Sequence, residues 1–255
     1  MTDTVGIVIL AAGLGTRMES DLAKVLHPIC GVPMIRYVVD TAATVAGNNV
    51  VVVVGHQAER VKQVVAETVS AHFALQERQL GTGHAVMCAL PSIPDDVAQV
   101  VVLCGDVPLI RPGTIEQLVA DHCRQRRDVT LLAVRLSNPK GYGRLIFDAG
   151  GGLTAIVEEA DADEVQKAIN IVNAGIYVIR RDFLESVLPR LGRDNKQNEI
   201  YLTDIVGLGY RDQRPIGAVI VSDSSEILGV NSRDDLQIVE KIMNMRGSGK
   251  DLDFS

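Results

Sequence analysis

The sequence lacks the features that mark membrane and secreted proteins. No apolar run approaches the roughly 20 residues needed to span a bilayer. The first ten residues, MTDTVGIVIL, carry no basic segment and pass directly into a strand-like apolar pattern. These two absences predict a cytoplasmic protein that has no membrane partner.

Cysteine and net positive charge are also scarce. The four cysteines form no C-x-x-C pair and no Cys/His cluster at zinc spacing, so they are predicted to be buried, reduced thiols. The formal net charge of -7 disfavours nucleic acid as a partner. Any phosphate-binding site must therefore be a local positive pocket on an acidic protein.

What the sequence does contain is an alternation of strand and helix patterns. Val5 to Leu10, Val50 to Val54 and 100–104 are short and apolar, as in strands buried on both faces of a parallel sheet. Helical spacing separates them, for example over 33–47, which has proline near its start and glycine at its end. The pattern predicts an α/β fold, a Rossmann-like, mixed but mainly parallel sheet flanked by helices.

Residues 137–164 interrupt this alternation. Turn signals around 141–144 and 150–152 enclose short strand patterns, which predicts a small antiparallel lid. A second sheet of this kind is a natural place for substrate selection. A helix is then predicted over 234–245, followed by a small, polar tail at 247–255 that is expected to be disordered.

The loop that follows the first strand is the strongest functional signal. Gly13 and Gly15 allow backbone N–H groups to approach an anion, and Arg17 and Lys24 add positive charge. Met18 stands where a dinucleotide fingerprint needs its third glycine, and neither glycine begins a Walker motif. The loop is interpreted as a cradle for a nucleoside triphosphate, although a plain glycine turn with surface cations remains the alternative.

Two further stretches carry candidate chemistry. Asp106 follows a buried strand and Gly105, which places an acid where ligands of open α/β sheets gather and favours a Mg²⁺ ligand over a structural turn. Gln76 can bond both sides of a pyrimidine amide edge, and Gly81 and Thr82 can let the backbone approach a base. The Gly-Thr-Gly segment is alternatively a simple helix N-cap.

Together these motifs resemble those of a known family. The strings LAAGLGTRM and KVLH are similar to the opening of nucleotidyltransferases that make NDP-sugars, and closest to the N-terminal uridyltransferase domain of the bacterial bifunctional enzyme that makes UDP-N-acetylglucosamine. The chain departs from this family at Ala23, where proline usually precedes the lysine. Loss of the fixed φ of proline is expected to make this loop less rigid.

The resemblance implies a set of site residues and roles. Arg17 and Lys24 are expected to be catalytic cations, and Asp106 and Asn231 to hold Mg²⁺. From the residues alone, Asn231 would be a helix cap and Glu158 part of a solvated acidic run. The residues implied to bind substrate are Leu10, Ala11, Ala12, Gly13, Gly15, Lys24, Gln76, Gly81, Thr82, Gly105, Asp106, Gly143, Glu158, Asn173 and Asn231.

The implied reaction joins UTP and N-acetylglucosamine-1-phosphate into UDP-N-acetylglucosamine and pyrophosphate. The alternatives are another sugar phosphate such as glucose-1-phosphate, another nucleotide such as dTTP or CTP, and a non-catalytic sugar-nucleotide sensor. The nucleotidyltransferase domain is assigned to 1–231 and a C-terminal helix and tail to 232–255. The hexapeptide period of the family's acetyltransferase domain does not occur in this sequence, and a homo-oligomer is compatible with it.

Overall fold

A computed structural model describes residues 4–18 and 20–247. Its strands are β1 (Val5–Leu10), β2 (Pro28–Ile29), β3 (Val32–Pro33), β4 (Val50–Val54), β5 (His72–Leu75), β6 (Gln99–Cys104), β7 (Val129–Arg135), β8 (Arg144–Phe147), β9 (Leu153–Val157), β10 (Ile171–Arg180) and β11 (Ile216–Val221). Its α-helices are α1 (Met34–Ala46), α2 (Ala58–Ala66), α3 (Thr82–Ala89), α4 (Pro112–Gln125), α5 (Glu164–Lys167), α6 (Arg181–Val187), α7 (Asp204–Arg211) and α8 (Arg233–Gly247).

The main sheet is mixed, as the sequence predicts. Its strands lie in the order β11-β7-β10-β6-β1-β4-β5. β1 pairs in parallel with β4 and β6, β4 with β5, and β7 with β11, whereas β10 runs antiparallel to β6 and β7. The chain leaves β1 towards β4 and β5 and then returns to β6 on its other side. The carboxyl ends of β1 and β6 therefore form a topological switch point, where open α/β sheets bind ligands.

The apolar strands account for the core. All five residues of β4 are buried, and one cluster of buried side chains lies on each face of the sheet. A third, smaller cluster joins Val239 and Ile242 of α8 to Met18, Ile29 and Met34. The C-terminal helix thus shares a core with the segment around the opening loop.

The predicted antiparallel lid is present. β8 pairs with β9 and, through Arg144, with Val172 of β10, so the lid continues the main sheet beside the switch point. The register of β10 against β7 shifts between Asn173 and Tyr177, which marks a bulge. Gly175 lies within it at φ 73°, a conformation that glycine adopts without a Cβ penalty.

The structure corrects several expectations. Cys30 and Cys123 are exposed and Cys88 and Cys104 only partly buried, although none of the four forms a disulfide. Cys30 lies in a turn at φ 49°, and Cys123 lies on α4 outside the buried stripe of Ile115, Leu118 and His122, which is why neither is buried as predicted. The sequence from 197 to 212 also predicts a helix, but the helix begins only at Asp204, because the preceding backbone pairs with the loop before α3 and its first turn.

α8 begins one residue before and ends two residues after the predicted helix, and the tail from residue 248 lies outside the described residues. Among the helices of the described ranges, none combines the length and the apolar character needed to cross a membrane.

Candidate active site

The switch point brings the opening loop and the β6 loop together. Leu10 and Cys104 are register partners at the ends of β1 and β6, and the Gly105 amide donates to the Leu10 carbonyl across 2.9 Å. A Cβ on Gly105 would lie 3.1 Å from that carbonyl oxygen, so only glycine fits this crossing without movement. Asp106 is the next residue, so it lies at the edge of the crevice between the carboxyl ends of β1 and β6.

Four predicted side chains converge there, two as catalytic cations and two as Mg²⁺ ligands. The Lys24 ammonium forms a short ion pair with Asp106 and donates to Asn231 Oδ1 across 3.0 Å. Arg17 donates to the same Asn231 oxygen across 2.9 Å. Residues separated by more than 200 positions thus form one polar cluster, consisting of Arg17, Lys24, Asp106 and Asn231.

Asn231 is not the cap of α8. Ser232 has that role, because its hydroxyl accepts from the Asp235 amide across 3.2 Å while the Asp235 carboxylate accepts from the Ser232 amide across 2.8 Å. This reciprocal pair is a capping box. The Val230 amide also donates to the Asp106 carbonyl across 2.9 Å, which fastens the two loops to each other. Asn231 is therefore free to direct its oxygen towards the cations.

The cluster has the donor chemistry of a magnesium site completed by substrate. Asp106 and Asn231 both place an oxygen within hydrogen-bonding distance of one cation, the Lys24 ammonium, so both can face a single positive centre. Residues 4–18 and 20–247 contain no group of three or more His, Cys, Asp or Glu side chains arranged to hold a metal. A site with two protein oxygens suits Mg²⁺, which commonly takes its other ligands from phosphate and water.

The two glycines of the opening loop differ in what they permit. Gly15 has φ 66°, and a Cβ there would lie 2.6 Å from Lys24 Cβ, so the absence of a side chain lets the lysine backbone pack against the loop. At Gly13 a Cβ would meet no protein atom within 4 Å, and its backbone is open to solvent. Gly15 is required by the fold of the loop, whereas Gly13 leaves a bare surface for a ligand.

The segment predicted to bind the base is tightly built. The Gln76 side chain is 3% exposed, and its amide nitrogen donates to the Gly81 carbonyl and lies 3.0 Å from His84 Nδ1. One amide hydrogen is thus directed to the Gly81 carbonyl, and no hydrogen bond is formed by the carbonyl oxygen of Gln76 among the described residues, so this oxygen can accept from a base N–H. The expectation that Gln76 bonds both sides of a pyrimidine edge stays a prediction.

Gly81 and Thr82 have structural partners on the segment before α7. Gly81 has φ 111°, and a Cβ would lie 2.5 Å from the Ile200 carbonyl oxygen. The Thr82 hydroxyl accepts from the Leu202 amide across 3.0 Å. Gly81 also occupies the N-cap position of α3, as the N-cap alternative expected, although no side chain caps the helix there.

A cavity of about 210 Å³ lies between this segment and the lid. Three residues implied to hold a sugar line it together with the end of β1 and the start of α3. They are joined by residues that were not predicted. The predicted lining residues are Leu10, Thr82, Gly143, Glu158 and Asn173, and the additional ones include Cys104, Tyr142, Gly175, Tyr177 and Thr203.

Glu158 faces this cavity and is not part of a solvated acidic surface. Its carboxylate accepts from the Thr203 hydroxyl across 3.1 Å. Burial raises the pKa of Glu158, the Thr203 hydrogen bond opposes the increase, and the nearby Asp204 carboxylate adds to it. Its neighbour Glu159 turns away and pairs with the buried guanidinium of Arg144 across 2.6 Å. The acidic run therefore has one member in the cavity and one in the scaffold of the lid.

Asn173 is positioned by the bulge in β10. Its amide nitrogen donates to the Tyr177 hydroxyl across 2.6 Å, and its oxygen accepts from the Gly175 amide across 3.0 Å. One hydrogen and one lone pair remain for a ligand. Thr203 positions Glu158, and Tyr177 positions Asn173. Neither contact could be predicted from the sequence, because each depends on how the chain folds back on itself.

Comparison with known proteins supports a nucleotidyltransferase. Residues 7–196 match the family model of the MobA-like NTP transferase domain. The chain is 43% identical over 240 residues to the "Bifunctional protein GlmU" of Desulfotalea psychrophila, an alignment that covers 94% of this chain and 70% of the relative. It is 45% identical over 229 residues to the protein of the same name from Geobacter metallireducens, covering 90% of this chain and 48% of that relative.

Several of the relatives are thus about twice as long as the matched region. A solved structure of UDP-glucose pyrophosphorylase complexed with UDP-glucose has the same fold, with a TM-score of 0.74 at 18% identity over 94% of this chain and 98% of that one. The predicted fold class is confirmed.

Proposed function

This chain belongs to the MobA-like NTP transferase domain family, among the relatives of the bifunctional GlmU proteins, and we propose that it makes UDP-N-acetylglucosamine and pyrophosphate from UTP and N-acetylglucosamine-1-phosphate. As a nucleotidyltransferase it acts on a nucleotide and a sugar phosphate. The choice of this pair is supported by the identity to the GlmU relatives and by the two adjoining parts of the crevice.

The observation that carries the proposal is the convergence of Arg17, Lys24, Asp106 and Asn231 beside a polar cavity. Phosphoryl-transfer enzymes work mainly by positioning and by neutralising charge, which requires cations and metal-binding oxygens at one place. A binding protein needs no such pair of oxygens, so the cluster favours an enzyme over a sugar-nucleotide sensor.

In the proposed reaction, an oxygen of the sugar phosphate attacks the α-phosphorus of UTP. The new bond forms as the bond from the α-phosphorus to the bridging oxygen breaks, and pyrophosphate leaves with the electron pair. The attacking phosphate is anionic at neutral pH, so no protein group has to remove a proton. Lys24 and Arg17 hold the phosphates in line and offset the charge of the departing pyrophosphate.

Asp106 and Asn231 would hold Mg²⁺, which when bound neutralises phosphate charge and orients the reacting groups. The bare backbone at Gly13 and the preceding residues Leu10, Ala11 and Ala12 would contact the nucleotide, with Gln76 and Gly81 at the base. Glu158 accepts from sugar hydroxyls, and the free amide positions of Asn173 bind the remaining polar groups.

A product screen tests the proposal. Four nucleoside triphosphates are combined with a panel of sugar 1-phosphates and Mg²⁺, and pyrophosphate release is measured. The proposal expects release with UTP and N-acetylglucosamine-1-phosphate above all other pairs. Binding of the sugar nucleotide without any pyrophosphate release would instead support the sensor.

A further inference from the structure

Gln57 has an unusual backbone for its residue type. It precedes α2 in the left-handed region, at φ 52° and ψ 39°. This region is uncommon for residues other than glycine, asparagine and aspartate, and a long side chain gains nothing from it locally. The Gln57 side chain does not cap α2 either. A contact made elsewhere must therefore account for glutamine at this position.

That contact is with the segment before Lys24. Gln57 Nε2 donates to the Asp21 carbonyl across 2.7 Å, and Gln57 Oε1 accepts from the Ala23 amide across 3.3 Å. The two bonds hold both ends of a three-residue turn with one planar amide. Ala23 itself has φ -53° and ψ 135°, and its side chain is 1% exposed.

These values show how the chain manages without the proline that the resembled family usually has at this position. A φ of -53° lies within the range that a proline ring imposes. A proline could not donate the N–H that Gln57 accepts, because its nitrogen carries no hydrogen. In this chain the Gln57 side chain holds the same backbone angle. The expectation of a looser loop considered only the missing proline and not this contact.

The turn leads directly to the proposed catalytic cation. Lys24 begins a short 3₁₀ turn whose next residues, Val25 and Leu26, are buried, and its Cβ packs against Gly15. On the N-terminal side of Lys24, buried Ala23 is held in place by its amide hydrogen bond to Gln57. We propose that Gln57 is a positioning residue: its amide fixes the turn at 21–23 and thereby the place of the Lys24 ammonium beside Asp106 and Asn231.

This inference rests on the proposed function only for its catalytic readout. The decisive variant is Gln57→Gly, because glycine relieves the left-handed backbone while removing both bonds to the turn. We expect a Tm near that of the unmutated chain, because relief of the left-handed backbone offsets the two lost bonds, together with a kcat lower by up to about 30-fold, the factor to which two neutral hydrogen bonds roughly correspond. The loss must stay below that of Lys24→Ala, because the cation is displaced and not removed.

Rescue by proline provides the sharpest test. In the Gln57→Gly background, Ala23→Pro restores the fixed φ without needing the amide and is expected to recover at least half of the lost factor in kcat. Ala23→Gly in the same background keeps the N–H but frees φ, and it is expected to lower kcat further. Arg60→Ala is the matched control, because exposed Arg60 donates to Gln57 Oε1 across 3.2 Å but forms no hydrogen bond or ion pair with residues 21–23 in the described part of the chain. It should leave kcat unchanged.

Amide hydrogen exchange over 21–26 gives a readout that does not depend on activity. Exchange there should be faster in Gln57→Gly and return towards the unmutated rate with Ala23→Pro. Wild-type kcat and exchange in Gln57→Gly, or a folded double variant that recovers neither, would overturn the role of Gln57. If the unmutated chain releases no pyrophosphate with any substrate pair, the proposed function fails, and the exchange data alone decide whether Gln57 holds the turn.

Discussion

Replacing Gly15 with alanine should damage both the fold and the catalytic cluster. A Cβ at residue 15 would lie 2.6 Å from Lys24 Cβ, and the backbone there has φ 66°. A left-handed alanine costs about 1–2 kcal/mol, and relief of the clash must move either the opening loop or Lys24. A total of about 2 kcal/mol corresponds to a Tm lower by roughly 4–8 °C for a chain of this size.

The same displacement should reduce turnover. A reacting group misplaced by about 1 Å can cost on the order of 10²-fold in rate, so Gly15→Ala is expected to lower kcat by up to about that factor. Steady-state pyrophosphate release gives kcat and the KM for UTP, and thermal unfolding without ligand gives Tm.

Gly13→Ala is the matched control in the same loop. Its Cβ would meet no protein atom within 4 Å, so its Tm should equal that of the unmutated chain. Its effect should fall on the KM for UTP, because the new methyl group covers a backbone proposed to contact the nucleotide. Equal Tm values for the two variants would refute the packing of Lys24 against Gly15.

The remaining predictions concern the metal ligands, the cavity acid and the thiols. Asp106→Ala should lose most activity while keeping its Tm within a few degrees, and Asn231→Ala should shift the Mg²⁺ titration of activity to higher concentration; near-normal turnover of Asp106→Ala at limiting Mg²⁺ would exclude the metal assignment. Burial raises the pKa of Glu158 above its ordinary value of 4.5. Between the pKa of the unfolded state and the higher pKa of the folded state, the folded protein binds more protons, so its stability falls as pH rises through that window. Glu158→Gln should therefore raise Tm at pH 7 and not at pH 4 while weakening sugar-phosphate use, and an equal Tm difference at both pH values would contradict this. Desolvation raises the pKa of Cys104 to about 12, so alkylation at pH 8 should modify exposed Cys30 first, and mass mapping that finds Cys104 labelled as fast would be inconsistent with this raised pKa.

The sequence predicts the parts of this molecule that depend on local patterns. Val50 to Val54 were predicted as a strand from composition alone, and β4 has these bounds. The end of β6 at Cys104, directly before Gly105 and Asp106, follows from an apolar run stopping beside an acid. Both features involve residues that are neighbours along the chain.

Contacts between distant segments were beyond such reasoning. Asn231 has the same local pattern whether it caps α8 or faces the cations, and only the capping box of Ser232 and Asp235 separates the two. Glu158 and Glu159 are adjacent acids in one run, yet Thr203 and Arg144 give them different environments. The left-handed conformation of a glutamine likewise has no signature in the sequence.

The most direct measurement of the central claim is a competition between two acceptors. UTP and Mg²⁺ are supplied with equal, subsaturating amounts of N-acetylglucosamine-1-phosphate and glucose-1-phosphate, and the initial products are identified by mass. The ratio of products equals the ratio of the two kcat/KM values, and Asn173→Ala run beside the unmutated chain should lower that ratio. The account predicts UDP-N-acetylglucosamine in clear excess, whereas equal amounts or an excess of UDP-glucose would contradict it.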